Sequence, residues 1–211
     1  MRALGMIALS YDDLANLMKS KPAGPRPFFD EVHLIRFLEL VGSRYYGRKE
    51  LVRRLGIGEG SVRTITGILK SAGYIEVHRA GSRLTEEGAR ILSSVREIFS
   101  RGVSVPAGKS MVDVSNVAVL VRGAGGKITS GLEQRDAAMM AGSSGASTFV
   151  YRSKKLSFPG MFDDLSEYDP ELSRAIIEEL GPEEGDAIVV GSAGNPDMAY
   201  IGSIAASLTL I

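Results

Sequence analysis

Two short apolar patterns of helical period, Leu51, Val52 and Leu55 in the first and Val62, Ile65, Leu69 and Ala72 in the second, flank the glycine-rich stretch Gly56-Ile57-Gly58-Glu59-Gly60. No other feature of the chain restricts its fold so tightly. Helices this short bury an apolar face only by packing on neighbours, and so brief a connection makes the second helix cross the first. Gly56 ends the first pattern, and Ser61 is placed to cap the second, which runs to Gly73. A longer pattern precedes the pair. From Asp30 the residues Val32, Ile35, Leu38 and Val41, widened by Leu34 and Phe37, repeat at three and four and close at Gly42. After Gly73 the period changes to two, with Tyr74, Ile75 and Val77 extended, a turn at Ala80-Gly81-Ser82 and a return through Arg83-Leu84-Thr85. Thr85 then caps a further helix, with Glu86 and Glu87 at its positive end and Arg96 and Arg101 toward the other. Helix, helix, tight turn, helix, hairpin, helix is the plan of a winged helix-turn-helix, here at residues 30–101.

Residues 1–29 form an N-terminal arm or helix ending in the proline-rich connector Lys21–Pro27, whose three prolines forbid regular helix. Residues 102–109, with Pro106 and Gly108 and no clear period, are expected to link the first unit to a second at 110–211. That second unit alternates its patterns. Val117–Val121 is a buried strand bounded by Gly123-Ala124-Gly125-Gly126, Leu132–Ala141 a helix, and Ala146–Tyr151 with Leu156–Phe158 a hairpin ended by Pro159-Gly160. Asp169 opens an amphipathic helix at Pro170–Leu180, Asp186–Val190 is another strand, and Tyr200–Leu210 a closing helix. The chain is therefore α/β overall: a winged helix-turn-helix followed by a small α/β domain, as its 211 residues allow.

The formal net charge of zero conceals an asymmetry. Residues 1–101 hold 17 Lys and Arg against 11 Asp and Glu, and residues 102–211 hold 8 against 14. Opposed halves point to a polyanion for the basic one. A membrane partner is not expected, because Val117–Val121, Ala187–Val190 and Ala199–Ile211 fall short of the roughly 18 residues a span requires. The start at Met1-Arg2 and Ala3–Leu9 imitates a weak signal peptide, but Tyr11-Asp12-Asp13 follows without a cleavage site, so a cytoplasmic location is expected.

Projecting the second helix of the pair at 100° per residue places Val62, Ile65 and Leu69 on one side and Gly60, Arg63, Gly67, Lys70 and Ser71 on the other, with Thr64 at the edge. Such a face fits a major groove. Small residues permit close approach, Arg63 offers a planar fork to guanine and Lys70 reaches phosphate. Arg48 and Lys49 open the preceding helix, which crosses the phosphates in this geometry, while Arg79, Ser82 and Arg83 gather at the hairpin tip. Double-stranded DNA is the expected partner, contacted by Arg48, Lys49, Ser61, Arg63, Thr64, Lys70, Arg79, Ser82 and Arg83.

The segments Gly47-Arg48-Lys49-Glu50-Leu51, Leu55–Thr64 and Gly81–Gly88, together with Glu133-Gln134-Arg135-Asp136-Ala137-Ala138, Phe158-Pro159-Gly160 and Glu184-Gly185-Asp186, resemble an archaeal family of winged helix-turn-helix transcription regulators with a C-terminal domain of unknown function. The similarity covers most of residues 30–211. It implies a regulator whose C-terminal domain is a sensor or dimerisation unit, and it supplies no ligand. A second archaeal pairing, a winged helix fused to a CTP-dependent riboflavin kinase, has a Pro-Gly-Thr-Leu-Asn-like segment. Here the nearest Pro-Gly, Pro159-Gly160, continues as Met161-Phe162-Asp163.

In the second half, Gly123–Thr129 invites comparison with a phosphate-binding loop, but GxxxxGK[ST] needs Gly at 121 and Ser or Thr at 128, where the chain has Val121 and Ile128. Two other segments are candidates for a small-molecule effector. Glu133, Gln134, Arg135 and Asp136 open a helix, where the acids face a pocket or simply favour its dipole. Ser192 and Asn195 lie in the small-residue run Gly191–Asp197, a loop for an anion or a tight connector. The acidic run Asp163, Asp164, Glu167, Asp169 and Glu171 reads as a solvated loop and helix cap. With no Cys, only His33 and His78, and neither residue type after 101, no metal, no cofactor and no catalytic residue is expected. The overall expectation is a homodimeric transcription regulator, the apolar Tyr200–Ile211 segment being a candidate dimer surface. The alternatives are a protein-interaction or RNA-associated adaptor and, further off, a small-molecule enzyme.

Overall fold

The computed structural model describes residues 11–19 and 28–211. The segments 1–10 and 20–27, including the proline-rich connector, lie outside the described residues. The chain divides into two units between Val95 and Arg96.

In the first unit, α1 (Tyr11–Lys19) is tied to α2 (Glu31–Ser43) by the Tyr11 hydroxyl, which donates to Glu31 Oε2 at 2.8 Å. Asp30 caps α2, accepting from Val32 N–H at 3.1 Å, and His33 closes a reciprocal capping pair with it. Next come α3 (Arg48–Leu55) and α4 (Glu59–Ser71), joined through Gly56, whose φ of 66° is the left-handed turn that stops α3 and sends its N–H to Val52 O. Leu51, Leu55, Val62, Ile65 and Leu69 bury together with the apolar face of α2. The hairpin pairs β1 (Ile75–His78) with β2 (Gly81–Leu84), and α5 (Glu86–Ile98) follows, Thr85 Oγ1 accepting from Gly88 N–H at 3.0 Å. This is the expected winged helix-turn-helix plan.

Two local expectations shift. Gly58, not Ser61, is the N-cap of α4; the first helical bond runs from Val62 N–H to Gly58 O, so Ser61 sits inside the first turn. The hairpin turns at Arg79-Ala80, one residue earlier than expected, because His78 pairs with Gly81 and Val77 with Ser82.

The second unit is built on one sheet of order β3-β4-β7-β5-β6, antiparallel at every pairing. Its strands are β3 (Val103–Val105), β4 (Ser115–Val121), β5 (Gly145–Arg152), β6 (Lys155–Ser157) and β7 (Ala187–Ala193). Residues 102–109, expected as a linker, thus contain an edge strand, with Val103 opposite Ala118; three residues are too few to show a period. The helices are α6 (Leu132–Met140), α7 (Leu165–Tyr168), α8 (Pro170–Leu180) and α9 (Pro196–Leu208). One sheet face packs Ala118, Phe149, Ile188 and Val190 against Leu165, Leu172 and Ile176 of α7 and α8. The other carries α9, backed by α6. The acidic run resolves into caps: Asp164 accepts from Ser166 N–H, and Asp169 from Leu172 N–H at 3.2 Å and Lys109 N–H at 2.7 Å.

β7 extends beyond Val190 to Ala193, so Gly191, Ser192 and Ala193 are strand and not loop. α9 starts at Pro196 and is buried from Ala199 to Ser207 within its own unit, which removes the Tyr200–Ile211 segment as a dimer surface. Between β5 and β6, Ser153 and Lys154 both have positive φ, 52° and 63°, the arrangement that Asn-Gly serves best. Left-handed non-glycine residues cost roughly 1–2 kcal/mol each. Lys154→Gly is therefore expected to stabilise the unit by about 0.5–1 kcal/mol after the entropic cost of glycine, read as a melting temperature a few degrees higher.

Candidate nucleic-acid interface

The outward face of α4 is as small and polar as its periodicity implies. Glu59, Gly60, Arg63, Thr64, Gly67, Lys70 and Ser71 are exposed, while Val62, Ile65 and Leu69 are fully buried. Among the described residues, the side chains of Arg63 and Lys70 make no ion pair or hydrogen bond. Both project into solvent from one helix face, two turns apart. Thr64 Oγ1 donates back to Gly60 O at 3.0 Å. An ideal Cβ on Gly60 or Gly67 would meet nothing within 4 Å.

Arg48, at the start of α3, reaches Glu59 at the start of α4, with Nη1 3.1 Å from Oε1. This pair bridges the two helices across their turn and orients Arg48 along the same surface. Lys49 is exposed beside it, and Ser61 is half-buried in the first turn of α4.

The wing holds two of its three expected contact residues outward, Arg79 and Arg83. Ser82 is the exception. It is only 4% exposed, because its backbone exchanges hydrogen bonds with Tyr46, N–H to O at 2.9 Å and O from N–H at 3.1 Å, which turns its side chain inward. Ser82 is thus a structural residue that seats the wing on the Tyr46 segment. Four residues that the periodicity did not single out join the surface there: Arg44, Tyr45, Glu76 and His78. Arg44 pairs with Glu50 and stacks over Tyr46 at 4.0 Å. The Glu50 carboxylate, through its hydrogen bond, raises the Arg44 pKa, and Arg44 lowers that of Glu50. Arg83 donates to the Tyr45 hydroxyl at 3.1 Å, and this contact, with the Glu76 charge adding to it, raises the guanidinium pKa further. The run Arg44-Tyr45-Tyr46-Gly47, aromatics beside a cation ahead of a short helix, was the available signal.

The two effector candidates of the second unit do not converge. Gln134 is 3% exposed and donates to Thr209 Oγ1 at 2.6 Å, so it is a packing residue at the C-terminal end of α9. Asn195 caps the other end, accepting from Met198 N–H at 3.0 Å; α9 has 13 residues, about 20 Å. Ser192 is fully buried in β7, with its hydroxyl 2.6 Å from Asn116 Oδ1, and is not accessible to a ligand. Glu133 is exposed, and Arg135 is satisfied by its neighbour Asp136 at 2.8 and 3.1 Å. Among the described residues no cluster of His, Cys, Asp and Glu is arranged to hold a metal, and no helix is long and apolar enough to cross a membrane.

Residues 29–99 match the family of the CggR N-terminal DNA binding domain, and residues 112–210 match a domain of unknown function (DUF4443). A solved structure of a hypothetical protein from Pyrococcus horikoshii OT3 is similar over both parts, with a TM-score of 0.70 and 27% identity, covering 85% of this chain and 91% of that one. No curated protein matches the chain. The first unit is thus similar to a family of DNA-binding domains, and the second to a family with no stated function.

Proposed function

We propose that the protein is a sequence-specific DNA-binding transcription regulator that acts as a dimer. In this reading α4 enters the major groove, the wing follows the adjacent backbone, and the second unit senses a small ligand or holds the dimer together. The archaeal setting implied by the motif resemblance is supported by the Pyrococcus horikoshii OT3 structure. A non-catalytic second unit is in keeping with its lack of His and Cys, and its acidic balance keeps it off the phosphates that the basic unit binds.

The glycines at 60 and 67 carry the reading. A glycine inside a helix costs about 0.5–1 kcal/mol relative to alanine. Neither residue has a positive φ, and neither has a neighbour within 4 Å of a Cβ position, so nothing in the described chain asks for glycine. The requirement lies outside: a surface that approaches the backbone of α4 on either side of Arg63. A major groove, with Arg63 aimed at a base edge, meets it.

Gly67→Ala is accordingly expected to raise stability by about 0.5–1 kcal/mol and to weaken duplex binding about tenfold, as a methyl in a closely packed contact costs about 1–3 kcal/mol. Thermal melting and fluorescence anisotropy on the same preparation check both. A variant that is more stable and binds like wild type removes the close-approach reading. Wild-type affinity should fall linearly with salt on logarithmic axes, at a slope of about −0.9 per phosphate contacted. Weak binding that ignores salt would make α4 a protein-contact face instead.

A further inference from the structure

The wing carries a carboxylate where a DNA-binding wing gains nothing from one. Glu76 sits opposite Arg83 in the hairpin register and is shared by two side chains, with Oε2 3.0 Å from His78 Nε2 and Oε1 3.4 Å from Arg83 Nε. Tyr45 closes the group from outside the hairpin. Its ring lies edge-on to His78 at 5.7 Å and 88°, the Arg83 guanidinium is 5.5 Å from its centroid, and its hydroxyl accepts from Arg83 Nη1 at 3.1 Å. Arg83 is thus held at two points, one charged and one neutral. Beside it, a cleft of about 560 Å³ between the end of α2, the wing and the start of α5 gives the guanidinium room to turn.

Resting on the DNA-binding reading, we propose that Glu76 is an internal stand-in for a DNA phosphate: it occupies Arg83 in the free protein, and the duplex backbone displaces it while Tyr45 keeps the guanidinium in place. The exchange is easy on the protein's side. Side chains of Arg83 and Glu76 are 51% and 47% exposed, and ion pairs so exposed are weak. A phosphodiester offers the same fork of donors two acceptor oxygens with a negative charge, in the geometry Arg favours. Tyr45 is a positioning residue here, acting through Arg83.

Four variants in the full chain test this by anisotropy on one duplex across a salt series: Glu76→Gln, Tyr45→Phe, Arg83→Ala and the double variant Glu76→Gln/Arg83→Ala. Each altered side chain is at least one-third exposed, and melting curves confirm that folding is unchanged. Glu76→Gln should tighten binding about two- to five-fold, and Tyr45→Phe should weaken it by a similar factor. Arg83→Ala should lower the salt slope by about 0.9. In the Arg83→Ala background the gain from Glu76→Gln should vanish. A gain of equal size in that background means that Glu76 acts by general repulsion and overturns the proposal, although DNA binding itself stands. Wild-type protein with no salt-dependent duplex binding overturns the DNA-binding reading and this inference with it.

Discussion

Arg63→Ala is expected to lower affinity for the preferred duplex by about 1–3 kcal/mol, roughly five- to 150-fold, and to leave a scrambled duplex nearly unaffected. The expectation follows from position and chemistry together. Arg63 lies on the second turn of α4, exposed, with Gly60 and Gly67 on either side, and its side chain has no partner among the described residues. A base-reading side chain must be near the helix N-terminus, must not be engaged elsewhere and must have planar donors; Arg63 meets all three. Lys70, two turns on, is a point charge, which the proposed reading assigns to the phosphates. Lys70→Ala should weaken matched and scrambled duplexes alike and reduce the salt slope by about 0.9. Arg63→Lys separates charge from geometry: it keeps the cation and loses the bidentate fork, so it should behave like Arg63→Ala on the matched site. Anisotropy titrations of the variants on both duplexes decide the matter. Equal losses on the two sites for both Arg63→Ala and Lys70→Ala would place Arg63 among the backbone contacts.

The helices of the first unit were legible because their burial is periodic. Val62, Ile65 and Leu69 announce the inner face of α4, and its outer face follows by subtraction. What depends on backbone pairing was not. Ser82 looks like a wing-tip polar residue, and only its bridge to Tyr46 turns it inward. Tyr45 carries no periodic signal; it matters because the loop ahead of α3 runs beside the hairpin as a partial third strand. In the second unit, Asp169 was readable as a helix opener, since a short polar side chain before Pro is a local device; Asn195 before Pro196 has the same form, but the closing helix was expected only from Tyr200. Gly191-Ser192-Ala193 misled because small polar residues resemble a loop. In a central strand under a closely packed helix they are instead what the space permits. Ser192 and Gln134, both offered as ligand contacts, proved to be polar residues satisfied inside the core, a distinction that sequence alone does not make.

Gly191→Ala is expected to destabilise the second unit by about 2–4 kcal/mol, with a fall in melting temperature of about 10–20 °C. Gly191 lies in β7 with ordinary extended geometry, so conformational freedom is not the reason for glycine. The reason is α9. A Cβ at 191 would lie 2.3 Å from Ala199 O and 2.6 Å from Ser203 N, both backbone atoms, which cannot swing aside as a side chain can. Relief requires α9 to move off the sheet, and α9 is fixed on that face by hydrogen bonds as well as by packing. The Ser203 hydroxyl accepts from Gly191 N–H at 3.1 Å and donates to Val117 O at 2.6 Å, joining the helix to two strands. Lifting the helix breaks both and opens the contact between the apolar faces of β4, β7 and α9. Removing the side chain that also crowds the site should not help: Gly191→Ala/Ser203→Ala keeps both backbone clashes and loses the hydroxyl, so it should melt no higher than the single variant. Gly194→Ala is the matching control. It lies three residues on, is exposed and has nothing within 4 Å of its Cβ position, so it should melt with the wild type. Calorimetry on the three variants, following the transition of the second unit, separates the cases. A Gly191→Ala protein as stable as the Gly194→Ala control would mean that α9 does not approach β7 this closely.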